Sequence, residues 1–125
     1  MLSRNVEVFM ACESSFEEAD TVLFGAPFDS TTSFRPGTRF GSSAIRRESY
    51  GLECYSPYQD RDLTDGAVMD SGDLELSFGN TEKALKSIEE RADIIIKAGK
   101  RPFMLGGEHL VTLGAFRAAV KKYPD

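Results

Sequence analysis

The sequence predicts an α/β fold, a parallel sheet with flanking helices, and two observations carry that prediction. Short apolar runs at residues 21–25, 67–70 and 102–105 each end at or just before Gly or Asp, the profile of strands buried on both faces. The stretches between them are a few dozen residues long and hold helical periodicity, which makes βαβ units with right-handed crossovers. No window approaches 18 consecutive apolar residues, so no membrane-spanning helix is expected.

The elements follow in order. Residues 6–11 form an apolar stretch interrupted by Glu7, too short for the hydrophobic region of a signal peptide, so export is not expected. Thr21-Val22-Leu23-Phe24-Gly25 is the first strand, bounded by acidic residues before it and Ala26-Pro27 after it. Residues 26–41 carry Pro27, Asp29, Ser30, Thr31, Thr32, Ser33, Pro36 and Gly37 and form a long loop. Such a loop at the carboxyl end of a strand is commonly functional. Ser42 or Ser43 is expected to cap a short helix that ends near Gly51.

The second strand is Ala67-Val68-Met69, ending at Asp70 after the turn signal Asp65-Gly66. Asn80 or Thr81 caps the clearest helix, which sets Leu85, Ile88, Ala92, Ile95 and Ile96 on one face and stops at Gly99. Pro102-Phe103-Met104-Leu105 is the third strand. A last helix spans residues 110–122, with Leu113, Phe116 and Val120 along one side. There is no repeat or linker, so residues 1–125 are read as part of one domain.

Composition narrows function by exclusion. A net charge of −5 argues against nucleic acid, whose non-specific affinity comes from clustered Lys and Arg, and suits a small cationic ligand. Cys12 and Cys54 form no Cys-x-x-Cys pair and no disulfide framework, which points to free thiols in the cytoplasm. Gly-x-Gly-x-x-Gly, Gly-x-x-x-x-Gly-Lys-Ser/Thr and Gly-x-Ser-x-Gly are all absent.

The chemistry concentrates in Gly106-Gly107-Glu108-His109, which holds the only histidine. At the carboxyl end of a strand in an open α/β sheet, that imidazole stands where ligands bind. Two readings are open: a metal or catalytic group, or a ring hydrogen-bonded to a neighbouring carbonyl. The double glycine could cradle a phosphate at the helix N-terminus, but Glu108 would repel one. Arg35, Arg39, Arg46 and Arg47 either recognise an anion or tie a loop to nearby carboxylates. Asp29, Asp70 and Asp73 sit at apparent strand ends, serving either as metal or substrate contacts or as turn formers.

Taken in register, Gly25-Ala26-Pro27-Phe28-Asp29, Arg35-Pro36-Gly37-Thr38-Arg39-Phe40-Gly41, Ala44-Ile45-Arg46, Asp70-Ser71-Gly72-Asp73 and Gly106-Gly107-Glu108-His109 resemble the ureohydrolases, and among them the agmatinase branch. The Arg-Pro-Gly-x-Arg-x-Gly stretch separates that branch from arginases. Ser42 departs from the Pro that is usual after the glycine. The resemblance implies an arginase/deacetylase-like fold with two Mn2+ ions at the carboxyl ends of the central strands, His109 ligating one of them. It also implies a metal-generated hydroxide that attacks the guanidinium carbon of a small cationic guanidino substrate, releasing urea, with putrescine as the other product from agmatine. Close relatives act on compounds such as guanidinobutyrate, and the family is commonly homo-oligomeric.

The family's other ligand motifs, Asp-Ala-His-x-Asp and Asp-x-Asp-x-x-Asp, do not occur in these residues. By the resemblance, residues 1–125 correspond to the N-terminal part of a ureohydrolase domain, and this stretch alone is expected to be inactive. The alternative is a truncated, non-catalytic α/β interaction module.

Overall fold

A computed structural model describes residues 2–124; Met1 and Asp125, the outermost positions of the expected domain, lie outside the described residues. In chain order the elements are β1 (Thr21–Gly25), α1 (Gly41–Ser49), a hairpin of β2 (Tyr55–Ser56) and β3 (Arg61–Asp62), β4 (Val68–Asp73), α2 (Thr81–Lys97), β5 (Arg101–Leu105) and α3 (Val111–Lys122). The main sheet has the order β4-β1-β5, parallel throughout. Val22 lies opposite Met69 on one side and Pro102 on the other. This is the α/β architecture that the three apolar runs predict.

β1 is central because it is the most apolar strand, with Val22, Leu23 and Phe24 all buried. The core joins Val22, Phe24 and Met69 to Ile88, Ala92 and Ile95 of α2 and to Val111 and Ala118 of α3. α2 begins where Asn80 Oδ1 accepts the Lys83 N–H at 2.9 Å. It ends in a Schellman motif: Gly99, at φ 76°, and Lys100 donate their N–H groups to Ile96 and Ile95. α3 approaches α2 closely because Gly114 has no side chain; a Cβ there would lie 2.8 Å from Ile88 Cβ.

Three expectations need correction. The second strand does not end at Asp70 but runs to Asp73 through a bulge, since Leu23 faces Asp70 and Gly25 faces Asp73. Two steps on β1 match three on β4, with Gly72 at φ 77° absorbing the extra residue. The third strand is not buried on both faces: Arg101, Pro102 and Phe103 are exposed, because β5 is the outer strand of this sheet. Leu113, Phe116 and Val120 share a side of α3 as expected; it faces outward, while Val111, Gly114 and Ala118 face the core. Finally, neither Ser42 nor Ser43 caps α1. A 3-10 turn (Thr38–Phe40) runs straight into the helix, so Phe40 takes the cap position.

The opposite edge of the sheet is covered. Backbone bonds from Asn5 and Ser14 to Asp70 and Val68, and from Asp70 to Cys12, lay residues 5–14 along β4. The hairpin of β2 and β3 was not foreseen, because each strand has only two residues and no periodicity can show in so short a run. No helix among the described residues is long and apolar enough to cross a membrane.

Candidate functional site

The candidate site forms where β1 and β5 end side by side. Ala26 N–H continues the pairing to the Leu105 carbonyl at 2.8 Å, and Glu108 N–H reaches the Phe28 carbonyl at 2.8 Å. Those bonds lace the loop after β1 to the glycine tetrad. Gly107 makes the approach possible, because a Cβ there would fall 2.2 Å from the Phe28 carbonyl oxygen. The tetrad then turns into α3, with Thr112 N–H bonded to the His109 carbonyl.

His109 is exposed. With Thr31, Thr32, Ser33, Phe34, Glu108 and Leu110 it lines a cleft of about 300 Å³. The phosphate cradle finds no support in the geometry. Instead of capping the helix electrostatically, the Glu108 carboxylate accepts the Thr31 N–H at 2.9 Å and the Thr31 hydroxyl on its other oxygen. Thr31 was not singled out from sequence beyond its place in the loop. The available signal was a run of hydroxyl residues after a strand, facing a carboxylate that had no other evident role.

Asp29, buried, organises the base of the same loop. Its Oδ2 accepts the N–H groups of Gly37 at 2.6 Å and Arg39 at 3.3 Å, and Arg39 Nε lies 3.2 Å away. Arg35 and Gly37 have positive φ, 21° and 144°, and Asp29 holds this turn in place from inside. The Arg39 guanidinium lies against the rings of Phe40 and Phe78, while Arg35 lies over Phe34. Arg47 is exposed.

Arg46 belongs to a separate, buried cluster. Its Nε and Nη2 reach the two Asp70 oxygens at 2.7 and 3.0 Å, and Nη1 bonds Asp73. Asp73 also accepts the Ser42 hydroxyl at 2.7 Å. The β4 bulge brings the two aspartates together: three residues apart in a regular strand they would face opposite sides. Burial by itself would lower the Arg46 pKa, but hydrogen bonds to Asp70 and Asp73 outweigh it and raise it above the ordinary arginine value. The four arginines therefore form no common anion site. Asp29 organises a turn, the structural alternative left open by the sequence, whereas Asp70 and Asp73 lie in β4 and bond Arg46 instead of forming a turn.

Among the described residues no group of three or more His, Cys, Asp or Glu side chains is placed to hold a metal. His109 offers one imidazole, and the neighbouring carboxylate of Glu108 is engaged by Thr31. These residues by themselves do not fit a two-metal centre, which needs several ligands per ion.

Comparison with known proteins gives this framework its relatives. The arginase family profile matches residues 19–125. Over 119 residues the chain is 53% identical to the agmatinase of Bacillus subtilis (strain 168), an alignment covering 95% of this chain and 41% of that protein. It superposes on the crystal structure of agmatine ureohydrolase from Thermoplasma volcanium with a TM-score of 0.85 and 36% identity, covering 91% of this chain and 39% of the other. A variant of Trypanosoma cruzi formiminoglutamase, solved with Mn2+, superposes with a TM-score of 0.77 and 26% identity, covering 98% and 41%.

Proposed function

The chain belongs to the arginase family, and from that premise we propose that residues 1–125 are the N-terminal part of an agmatinase-type ureohydrolase. Water adds to the guanidinium carbon of agmatine, and the bond from that carbon to the alkyl-bearing nitrogen breaks, yielding urea and putrescine. The likeness to the Bacillus subtilis agmatinase carries this reading, because it runs over 95% of the chain rather than over one motif. The agmatine ureohydrolase structure supports it from the fold.

His109 is proposed as a manganese ligand. Its imidazole is exposed in a cleft at the carboxyl end of β5, and neutral imidazole suits divalent first-row metals. The manganese-containing formiminoglutamase supports the choice of ion. The other ligands would come from sequence beyond these residues, since the chain spans 41% of the agmatinase it matches. Such a centre, with ligands from beyond these residues, would supply a water of lowered pKa. A cytoplasmic homo-oligomer is proposed on the same footing, and the net charge of −5 suits a cationic substrate.

The test is urea release by protein expressed from the complete coding sequence, loaded with Mn2+ and offered agmatine, 4-guanidinobutyrate or arginine. Agmatine is expected to give the highest kcat/KM. Urea chiefly from 4-guanidinobutyrate would replace the substrate but keep the reaction class. No urea from any of the three would overturn the enzyme and favour the non-catalytic module.

A further inference from the structure

Resting on the ureohydrolase reading, the geometry points to Glu108 as a clasp that positions the loop tip at residues 31–34, making that tip the wall that fixes the substrate at His109. The argument starts from connectivity. Thr31 and Glu108 are 77 residues apart, yet both Glu108 oxygens are spent on one residue of the loop, accepting its N–H and its hydroxyl. Both bonds are charge-assisted and converge from two directions, so they fix the orientation of Thr31 as well as its distance.

Everything else that holds this loop acts at its base. Asp29 gathers Gly37 and Arg39, and the Thr32 hydroxyl donates to the Asp29 carbonyl at 3.0 Å. The tip carries Ser33 and Phe34, which are exposed and contribute no core contact. Without the clasp, the tip would keep only the Thr32 hydroxyl bond and the contact of Arg35 with the Phe34 ring, and chain entropy would spread it over many conformations. With the clasp, Thr32, Ser33 and Phe34 face Glu108, His109 and Leu110 across the cleft.

The cleft thereby gains hydroxyls that can accept a hydrogen bond from a guanidinium and a phenyl ring beside them. Glu108 does not need to touch the substrate. It is a positioning residue that acts through Thr31, and through Thr31 it sets where Ser33 and Phe34 stand in the cleft lining. A wall of this kind contributes binding common to the ground and transition states, so its loss shows in KM and largely spares kcat.

Three variants of the full-length enzyme test this: Glu108→Ala, Thr31→Val, which loses the hydroxyl, and Thr31→Ser, which retains it. Urea kinetics, bound Mn2+ and amide hydrogen exchange over residues 29–36 are read together. For Glu108→Ala, which loses both bonds, KM for agmatine is expected to rise about tenfold, and for Thr31→Val, which keeps the N–H bond, by less, with kcat within about threefold in both. Exchange at the loop tip should accelerate, Mn2+ content should hold, and Thr31→Ser should behave as wild type. A kcat loss accompanied by Mn2+ loss would show that Glu108 acts on the metal site instead, and unchanged KM and exchange would remove the clasp altogether. Should wild type release no urea from any guanidino compound, the exchange measurement still decides: acceleration keeps the clasp without the enzyme, and no change ends it.

Discussion

Arg46 and Asp70 form a two-pronged ion pair, Nε to Oδ2 at 2.7 Å and Nη2 to Oδ1 at 3.0 Å, with both side chains no more than 1% exposed. Asp70 accepts two further bonds, from the N–H groups of Phe9 and Gly72 at 2.8 and 2.9 Å. The pair thus joins α1, the β4 bulge and the covering segment 5–14 at one point. Gly25 makes room for the cluster, since a Cβ there would overlap the Asp73 carboxylate.

Replacing Arg46 with Leu strands a buried carboxylate and is expected to cost about 3–5 kcal/mol in urea unfolding. Arg47, one position along and exposed, provides the control: Arg47→Leu should stay within about 0.5 kcal/mol of wild type. Equal small losses in both would mean that the buried pair contributes nothing specific.

Gly107→Ala tests the contact between loop and tetrad. The new Cβ would lie 2.2 Å from the Phe28 oxygen and 2.8 Å from the Phe28 nitrogen, and both are backbone atoms that cannot rotate away. The loop must move outward, breaking the Glu108–Phe28 bond. A stability loss of about 1–3 kcal/mol is expected. At Gly106 the nearest atom is a Val111 methyl at 3.1 Å, so Gly106→Ala should be milder. A reversed order by thermal unfolding would contradict the packing described for Phe28.

Cys12 gives a pH prediction. Burial first, and the charge of Asp70 second, push its thiol up to about 11 from an ordinary value of 9.0. At pH 8 the folded thiolate is roughly one part in a thousand, so iodoacetamide should label the less buried Cys54 and reach Cys12 only after denaturation. The linkage sign follows from the raised folded pKa. The stability associated with the neutral thiol is complete below the unfolded value near 9 and is lost as pH rises through about 11. Urea midpoints that rise over that interval in wild type relative to Cys12→Ala would refute it.

The three strands of the main sheet and α2 are readable because each rests on a local signal: an unbroken apolar run for β1, and Asn80, Gly99 and a five-residue apolar face for α2. The ends of β4 and the role of the aspartates are not. A bulge is visible only in the pairing of two strands, and the sequence Asp70-Ser71-Gly72-Asp73 reads locally as a turn. The outward face of α3 was legible as a stripe but not as exposed, because periodicity gives the angle of a face and not its partner. Within the site, His109 stood out as the sole histidine, whereas Thr31 has meaning only through a carboxylate 77 residues away.

His109→Ala separates a local chemical role from a structural one. Within residues 1–125 the side chain is exposed, so in the metal-free polypeptide of these residues its removal should change unfolding free energy by no more than about 0.5 kcal/mol. If the imidazole holds manganese, bound metal and urea release must fall together, the latter by about a hundredfold or more. That pairing is the discriminating feature, since Gly107→Ala should lower stability as well. For a polypeptide of residues 1–125 alone, elemental analysis should find no stoichiometric manganese and agmatine should yield no urea, because one imidazole cannot replace several ligands per ion. Turnover by that polypeptide would place the reacting group among these residues, and full activity in a folded His109→Ala enzyme would take His109 out of the site.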